Sequence, residues 1–267
     1  LIADEPTTAL DVSLQGQILD LIKNLVTQRG MGLLLITHDL GVARHMADRI
    51  GIMYAGQLVE QFPSGRERQA FHPYTQKLLQ AVPGLQRAGQ QLAAIPGRVP
   101  PLDQHFAGCR FADRCHRALP QCVNTLPAWT ELGEGQSVRC ILADGQHHDA
   151  LQQQEQTSVP CMPASQQAPQ TGPVLAVRGL SVHYAQRSGT LFGKRTIAAV
   201  DGIDFELAAG ETLALVGESG CGKSTAAKAI LGLTPVSAGS VKLAGDEIAR
   251  LPERAFRPYR KRAQIVF

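Results

Sequence analysis

A glycine-rich loop between an apolar run and a helix is the feature that most limits the fold of this chain. Residues 217–225 fit the pattern G-x-x-x-x-G-K-[ST], and they follow the apolar run 213–216 and lead into a predicted helix at 224–231. Glycines at this spacing let successive backbone N–H groups curl around a phosphate. The start of the helix adds partial positive charge. The sequence therefore predicts an α/β fold with a phosphate loop, the name used here for residues 217–225.

The side chains of the phosphate loop supply a cation and a metal ligand. Lys223 would neutralise the outer phosphates, and the Ser224 hydroxyl would ligate Mg²⁺. Cys221 occupies a variable position and is either a tolerated small residue or a redox-sensing thiol. The predicted nucleotide-binding residues of the loop are Gly217, Glu218, Ser219, Gly220, Cys221, Gly222, Lys223, Ser224 and Thr225.

Three polar residues follow apolar strands near the start of the chain. Asp4 and Glu5 end the apolar run 1–3, and His38 follows the predicted strand 33–37. An aspartate at a strand end can hold Mg²⁺, and a neighbouring glutamate can orient or deprotonate an attacking water. His38 is either a phosphate contact or a structural histidine. Tyr184, upstream of the phosphate loop, is either an adenine-stacking residue or a half-exposed strand aromatic.

Composition divides the 267 residues into four ranges. At ~150 residues per domain the length predicts one or two domains. Residues 1–65 and 173–267 alternate strand and helix patterns, residues 66–145 are rich in proline and cysteine, and residues 146–172 have the Gln, Ser and Pro content of a linker. Net charge +3 and 5% aromatic content do not favour nucleic acid. Residues 66–145 are called the cysteine module below.

Four cysteines lie close together in the cysteine module, with the spacing C-x5-C-x6-C-x17-C. They are Cys109, Cys115, Cys122 and Cys140. Four cysteines in a loop-rich segment without a large core are typical of a metal or cluster site that supplies folding energy. The spacing lacks the C-x2-C pair of a zinc ribbon, so the residues leave open a metal centre, an iron–sulfur centre or unliganded thiols.

Several of these motifs together resemble the ATPases of ABC transporters. Residues 4–11 with residues 37–39 are similar to the Walker B, D-loop and switch-histidine series, and residues 217–225 are similar to Walker A. The resemblance implies ATP with Mg²⁺ as ligand. It gives the Mg²⁺ role to Asp4, the catalytic carboxylate to Glu5, the γ-phosphate switch to His38 and a D-loop contact across a dimer of nucleotide-binding domains to Asp11.

The order of the motifs is inverted relative to one such domain, since Walker B precedes Walker A here. We therefore expect portions of two P-loop nucleotide-binding domains: the C-terminal part of a first domain in 1–65 and the N-terminal part of a second in 173–267. An LSGGQ segment would then lie shortly before Leu1, and a glutamine would follow Phe267. Asp4 and Glu5 would serve a Walker A outside this sequence, so we expect negligible ATP hydrolysis by the chain alone.

The cysteine module sharpens the resemblance. Residues 72–79 and 108–115 are similar to the C-terminal extension of oligopeptide, dipeptide and nickel importer ATPases, as in the fused, glutathione-importer-like members. The resemblance implies a [4Fe–4S] cluster on the four cysteines. It also implies two transmembrane permease subunits as partners, a periplasmic solute-binding protein as an indirect partner, and peripheral attachment to the cytoplasmic face of the inner membrane. The alternatives are a soluble ABC ATPase acting on ribosomes or DNA, and a module that only binds nucleotide.

Overall fold

The computed structural model of the chain describes residues 1–8, 10–81, 95–143, 172–187 and 194–267. The strands in these ranges are β1 (Ile2–Asp4), β2 (Leu33–Thr37), β3 (Arg49–Tyr54), β4 (Gln57–Pro63), β5 (Trp129–Gly133), β6 (Gln136–Arg139), β7 (Leu175–Arg187), β8 (Lys194–Leu207), β9 (Thr212–Val216), β10 (Ala238–Leu243), β11 (Asp246–Glu247) and β12 (Ile265–Val266). The α-helices are α1 (Val12–Arg29), α2 (Leu40–Met46), α3 (Pro73–Gln80), α4 (Lys223–Ile230) and α5 (Glu253–Phe256).

The larger sheet joins strands from both ends of the chain. Its order is β12-β1-β2-β9-β3-β4-β6-β5. The first five strands are parallel neighbours, and β4, β6 and β5 add an antiparallel extension. β9 lies between β2 and β3, with Leu34 opposite Leu213 and Ile50 opposite Ala214.

The alternation of side chains along the parallel strands produces two core layers. Leu34 and Ile36 of β2 pack on one face with Leu213 and the β7–β8 sheet. Leu33 and Leu35 face the opposite side, toward α1 and α2. All four leucine and isoleucine side chains of this strand are fully buried, as expected for a parallel strand covered on both faces.

Both ends of α1 are encoded locally. The Asp11 side chain accepts the Leu14 N–H at 2.9 Å, which satisfies one of the free donors at the helix start. Gly30 ends the helix at φ 58°, in the left-handed region that glycine adopts readily. Leu19, Ile22 and Val26 form its buried stripe. The residues at both ends and along the buried face therefore account for the helix over Val12–Arg29.

A second sheet packs against the layer that contains α4. Its order is β11-β10-β7-β8, all antiparallel. β7 begins where β8 ends, with Leu175 opposite Leu207. Among the described residues no helix is long and apolar enough to span a bilayer.

The cysteine module contains more regular structure than the loop-rich segment that the sequence predicts. Its described residues contain α3, four short 3-10 turns and the hairpin β5–β6, whose β6 bonds to β4. Arg110 is almost fully buried and ties the module to the rest: its guanidinium donates to the Ala55 carbonyl and to the Asp201 carboxylate. The predicted linker at 146–172 lies, apart from Gly172, outside the described residues.

The pairing of the two α/β ranges differs from the expectation of separate partial domains. β9, from 173–267, completes a sheet whose other parallel strands β1, β2 and β3 come from 1–65. The physical reason is complementarity, because β2 and β3 leave a gap for one parallel apolar strand and β9 is fully buried when it fills that gap. Whether the two ranges belong to two domains of a longer protein stays a prediction.

A buried carboxylate links three elements around the antiparallel extension. Glu60 of β4 is fully buried and accepts the Phe71 N–H at 2.6 Å, the His72 N–H at 3.1 Å and the Gln136 side-chain amide at 3.0 Å. Burial raises the pKa of Glu60. The Glu60 side chain therefore holds the segment that leads into α3 against the sheet.

We expect Glu60→Ala to lower the free energy of unfolding by about 3 kcal/mol, because it leaves buried donors without an acceptor. Glu60→Gln keeps one acceptor and should cost less. The folded-state pKa of Glu60 is raised. The contribution of Glu60 to the free energy of unfolding is therefore largest below the unfolded-state pKa, and it declines as the pH rises through the folded-state pKa. Urea denaturation should show the unsubstituted chain gaining stability over Glu60→Gln as the pH falls from neutral. Equal pH profiles for the two would contradict this.

Candidate functional site

The phosphate loop lies between the end of β9 and the start of α4. Gly222 precedes the helix at φ 103°, and a Cβ added there would lie 2.2 Å from the Ala199 carbonyl oxygen. A Cβ added at Gly217 would lie 2.2 Å from the Met53 carbonyl oxygen. The Gly56 N–H donates to the Cys221 carbonyl at 2.9 Å. Close backbone contacts on the outer side therefore require the glycines and hold the loop in a tight curve.

Lys223 points back into the loop that precedes it. Its ammonium donates to the Gly217 carbonyl at 2.8 Å and to the Glu218 carbonyl at 3.2 Å, and the residue is only 4% exposed. The Lys223 ammonium thus lies beside the N-terminus of α4, where it can form an ion pair with a bound phosphate. Burial also raises the pKa of the adjacent Cys221 thiol, so that thiol stays protonated and unreactive at neutral pH.

The structure brings the first strand of the chain to the phosphate loop. The Ser224 hydroxyl donates to the Asp4 carboxylate at 2.8 Å, although the two are 220 positions apart. The expectation that Asp4 and Glu5 serve a different loop, outside this sequence, is therefore wrong for this structure. The cause is the sheet order, since β1 and β9 flank β2 in parallel and end at the same edge.

Glu5 and His38 lie next to each other at that edge. The Glu5 carboxylate is 3.4 Å from the His38 imidazole and accepts the Thr8 hydroxyl at 3.0 Å. Glu5 has φ 52°, an uncommon left-handed conformation for a residue with a side chain. Strain of this kind is found where a side chain must be aimed at a site.

Asp11 lies at the start of α1, and Tyr184 lies on β7. Asp11 caps α1, so its side chain already has a local role. Tyr184 is on β7 opposite Ile197, and it is 42% exposed. Both the adenine-stacking role of Tyr184 and the dimer contact of Asp11 stay predictions.

Two residues without a predicted role in nucleotide binding contact the outer side of the loop. The Tyr74 hydroxyl accepts the Glu218 N–H at 3.1 Å. The Arg114 guanidinium donates to both Glu218 carboxylate oxygens, at 3.1 and 3.3 Å. Tyr74 and Arg114 lie in the segments 72–79 and 108–115 that carry the resemblance, but nothing in the spacing of those segments predicts a contact with Glu218.

The four cysteines of the cysteine module lie in one region but do not form a metal site. Burial, with a smaller contribution from the neighbouring thiols, raises the pKa of Cys109 to about 11 and of Cys140 to about 12. The Leu119 N–H donates to the Cys122 sulfur at 3.4 Å. Among the described residues no group of three or more His, Cys, Asp or Glu is placed to hold a metal ion. The expected [4Fe–4S] cluster thus finds no support in this arrangement of protonated thiols.

The residues around the loop do fit a nucleotide with Mg²⁺. The backbone is curved so tightly that glycine is required at positions 217 and 222. The Lys223 ammonium is buried beside this turn, and the Ser224 hydroxyl contacts the Asp4 carboxylate. Hydroxyl and carboxylate oxygens are the ligands that Mg²⁺ takes alongside phosphate.

Two family models match the chain. The model described as "Oligopeptide/dipeptide transporter, C-terminal region" matches residues 67–122, and the model described as "ABC transporter" matches residues 200–267. The first covers Tyr74 and Arg114, and the second covers the phosphate loop.

Curated proteins align with the chain over its whole length. It is 38% identical over 273 residues to the oligopeptide transport ATP-binding protein OppD of Mycobacterium bovis, covering 100% of this chain and 44% of that protein. It is 38% identical over 273 residues to the glutathione import ATP-binding protein GsiA of Salmonella choleraesuis and 37% identical over 269 residues to that of Pectobacterium atrosepticum, covering 100% of this chain and 35% of each. The chain spans less than half the length of these relatives.

We expect Gly222→Ala to destabilise the chain by about 1–3 kcal/mol from backbone strain alone, because a positive φ and a close carbonyl both oppose a Cβ. Gly16→Ala is the matched control, since Gly16 lies within α1 and a Cβ there has nothing within 4 Å. That control should stabilise the chain by about 0.5–1 kcal/mol. Urea denaturation of both variants measures the contrast, and equal shifts in the same direction would show that the loop tolerates a side chain.

Proposed function

Because the chain belongs to the ATP-binding proteins of ABC transporters, with the oligopeptide/dipeptide type of C-terminal region, we propose that it binds ATP with Mg²⁺ at the phosphate loop. We propose further that the full-length protein hydrolyses ATP to power import of peptides or related small solutes. The contact that carries the proposal is the 2.8 Å hydrogen bond from Ser224 to Asp4, which joins the two halves of a nucleotide site.

Each polar residue of the site has a role that follows from its position. The loop N–H groups and Lys223 hold the phosphates, with the lysine exchanging the carbonyls of Gly217 and Glu218 for phosphate oxygens. Ser224 and Asp4 hold Mg²⁺, which when bound neutralises charge on the phosphates. Glu5 orients a water and accepts its proton, and His38 beside it contacts the outer phosphate.

The transport role rests on relatives and is proposed for the whole protein. Relatives named for oligopeptide transport and for glutathione import align with the whole chain within longer proteins, which supports further nucleotide-binding segments in the full-length protein beyond the site that Asp4 and Ser224 form here. Two membrane permease subunits would be the partners, with a periplasmic binding protein acting indirectly and the ATPase peripheral on the cytoplasmic face of the membrane. The match of the oligopeptide C-terminal region favours this over action on ribosomes or DNA.

In the full-length protein we expect Glu5→Gln to bind ATP normally but to hydrolyse it about 10²–10⁴-fold more slowly, because the proton acceptor is lost. Lys223→Ala should weaken binding of a fluorescent ATP analogue at least about tenfold, because a charge-assisted contact with phosphate is lost. Glu131→Gln and Lys242→Ala, two exposed positions on other strands, are the matched controls.

These variants separate binding from hydrolysis. Normal turnover in Glu5→Gln would refute the role of Glu5, and normal binding in Lys223→Ala would refute the phosphate site. The chain of 267 residues contains no LSGGQ segment, so on its own it should bind the analogue but fall far below the turnover of ~1–10³ s⁻¹ typical of enzymes.

We infer, as a second proposal, that the four cysteines of the cysteine module close on a [4Fe–4S] cluster in the full-length protein. Its support is the backbone contact between two of them, since the Cys109 N–H donates to the Cys122 carbonyl at 2.7 Å and keeps these two cysteines side by side. Binding would require the thiols to deprotonate and move together, so loading should weaken at low pH.

Anaerobically purified full-length protein should then be brown, with visible sulfur-to-iron absorbance. Cys109→Ser should lose that absorbance, whereas Cys221→Ser, outside the module, should keep it. A colourless protein with stoichiometric zinc, or with no metal, would contradict the cluster.

A further inference from the structure

Glu218 places a carboxylate on the loop that is proposed to bind phosphate. It follows the first glycine of the loop, it is partly buried, and its carboxylate brings negative charge to a place that must accept more negative charge. Like charges at close range oppose each other most where water is excluded. An uncompensated Glu218 would therefore weaken binding of any polyphosphate.

Arg114 of the cysteine module compensates this charge. Its side chain is 7% exposed, and its two terminal nitrogens lie 3.1 and 3.3 Å from the two oxygens of Glu218. This two-pronged contact fixes the orientation of the carboxylate as well as neutralising it. A lysine at this position would supply the charge without the second hydrogen bond.

The arginine is held in place before it meets the loop. Its Nε donates to the Pro96 carbonyl at 2.8 Å, and one terminal nitrogen also donates to the Tyr54 hydroxyl at 3.1 Å. Lys77 donates to the backbone carbonyl of Arg114 at 3.3 Å. Because so many of its donors are bonded within the module and β3, little side-chain freedom is left to lose on pairing with Glu218.

Tyr74 holds the backbone of the same residue. Its hydroxyl accepts the Glu218 N–H at 3.1 Å, and its ring packs against Tyr54 and Phe111 at centroid distances of 4.6 and 5.3 Å. Burial raises the pKa of Tyr74, so the hydroxyl stays protonated. His72, whose pKa burial lowers to about 3, is neutral and caps α3 by accepting the Tyr74 N–H at 3.1 Å.

We propose that Arg114 and Tyr74 are positioning residues for nucleotide binding. Arg114 neutralises and orients the Glu218 carboxylate, Tyr74 holds the Glu218 backbone, and both contacts favour binding of ATP at the phosphate loop. This inference rests on the proposed ATP site. It assigns the cysteine module a direct part in nucleotide affinity, because the module contributes both residues that brace the outer side of the loop.

The test measures the dissociation constant of a fluorescent ATP analogue, and KM and kcat for ATP, in the full-length protein. Arg114→Ala should raise the dissociation constant and KM about tenfold, because the carboxylate of Glu218 is left uncompensated, while kcat stays within about twofold. Arg114→Lys should recover part of the loss, and Tyr74→Phe should give a smaller loss.

A second-site substitution distinguishes charge compensation from a general structural role. Adding Glu218→Gln to Arg114→Ala should restore affinity to within about threefold of the unsubstituted protein, because no charge is left to compensate. Arg178→Ala is the matched control, since it breaks the exposed Arg178–Glu206 pair on the second sheet and should leave affinity unchanged.

Each outcome is decisive. Unchanged affinity in Arg114→Ala, or a double variant as weak as Arg114→Ala alone, would overturn the inference while the ATP site stands. If the unsubstituted protein bound no ATP analogue, the proposed function itself would fail.

Discussion

β9 is hydrogen-bonded along both of its edges to parallel strands from the opposite end of the chain, and the site depends on that pairing. With β2 on one side and β3 on the other, its five residues are all buried. The position of β9 determines where the phosphate loop emerges, and the parallel alignment with β1 brings Asp4 to Ser224. If β9 were withdrawn, the carboxylates and the loop would separate, and the two core layers would lose their shared strand.

The parts of the fold that could be predicted are those encoded over short distances. The cap residues Asp11 and Gly30 mark both ends of α1, and the apolar residues of β2 indicate a covered strand. The glycine spacing of the phosphate loop predicts its curvature without reference to anything else. In each case the cause lies within a few residues of the effect.

The pairing of strands and the loop's outer supports could not be predicted, because their partners lie far away in sequence. Arg114 and Glu218 are 104 positions apart, and Asp4 and Ser224 are 220 apart. The hairpin β5–β6 carries few apolar residues, so its alternation is weak, and it is a strand pair because β4 offers an edge. Motif order along the chain led to the expectation that Asp4 serves another loop. The structure differs from it because order along a chain does not determine order across a sheet.

The late position of β9 in the chain has a consequence during synthesis. More than 150 residues separate the end of β3 from the start of β9, and a ribosome adds about 5–20 residues each second. For about ten seconds or more, β2 and β3 have emerged without the strand that separates them. Two facing apolar strand edges are then open to any extended segment nearby, so the nascent polypeptide passes through an interval of vulnerability to mispairing that only elongation can end.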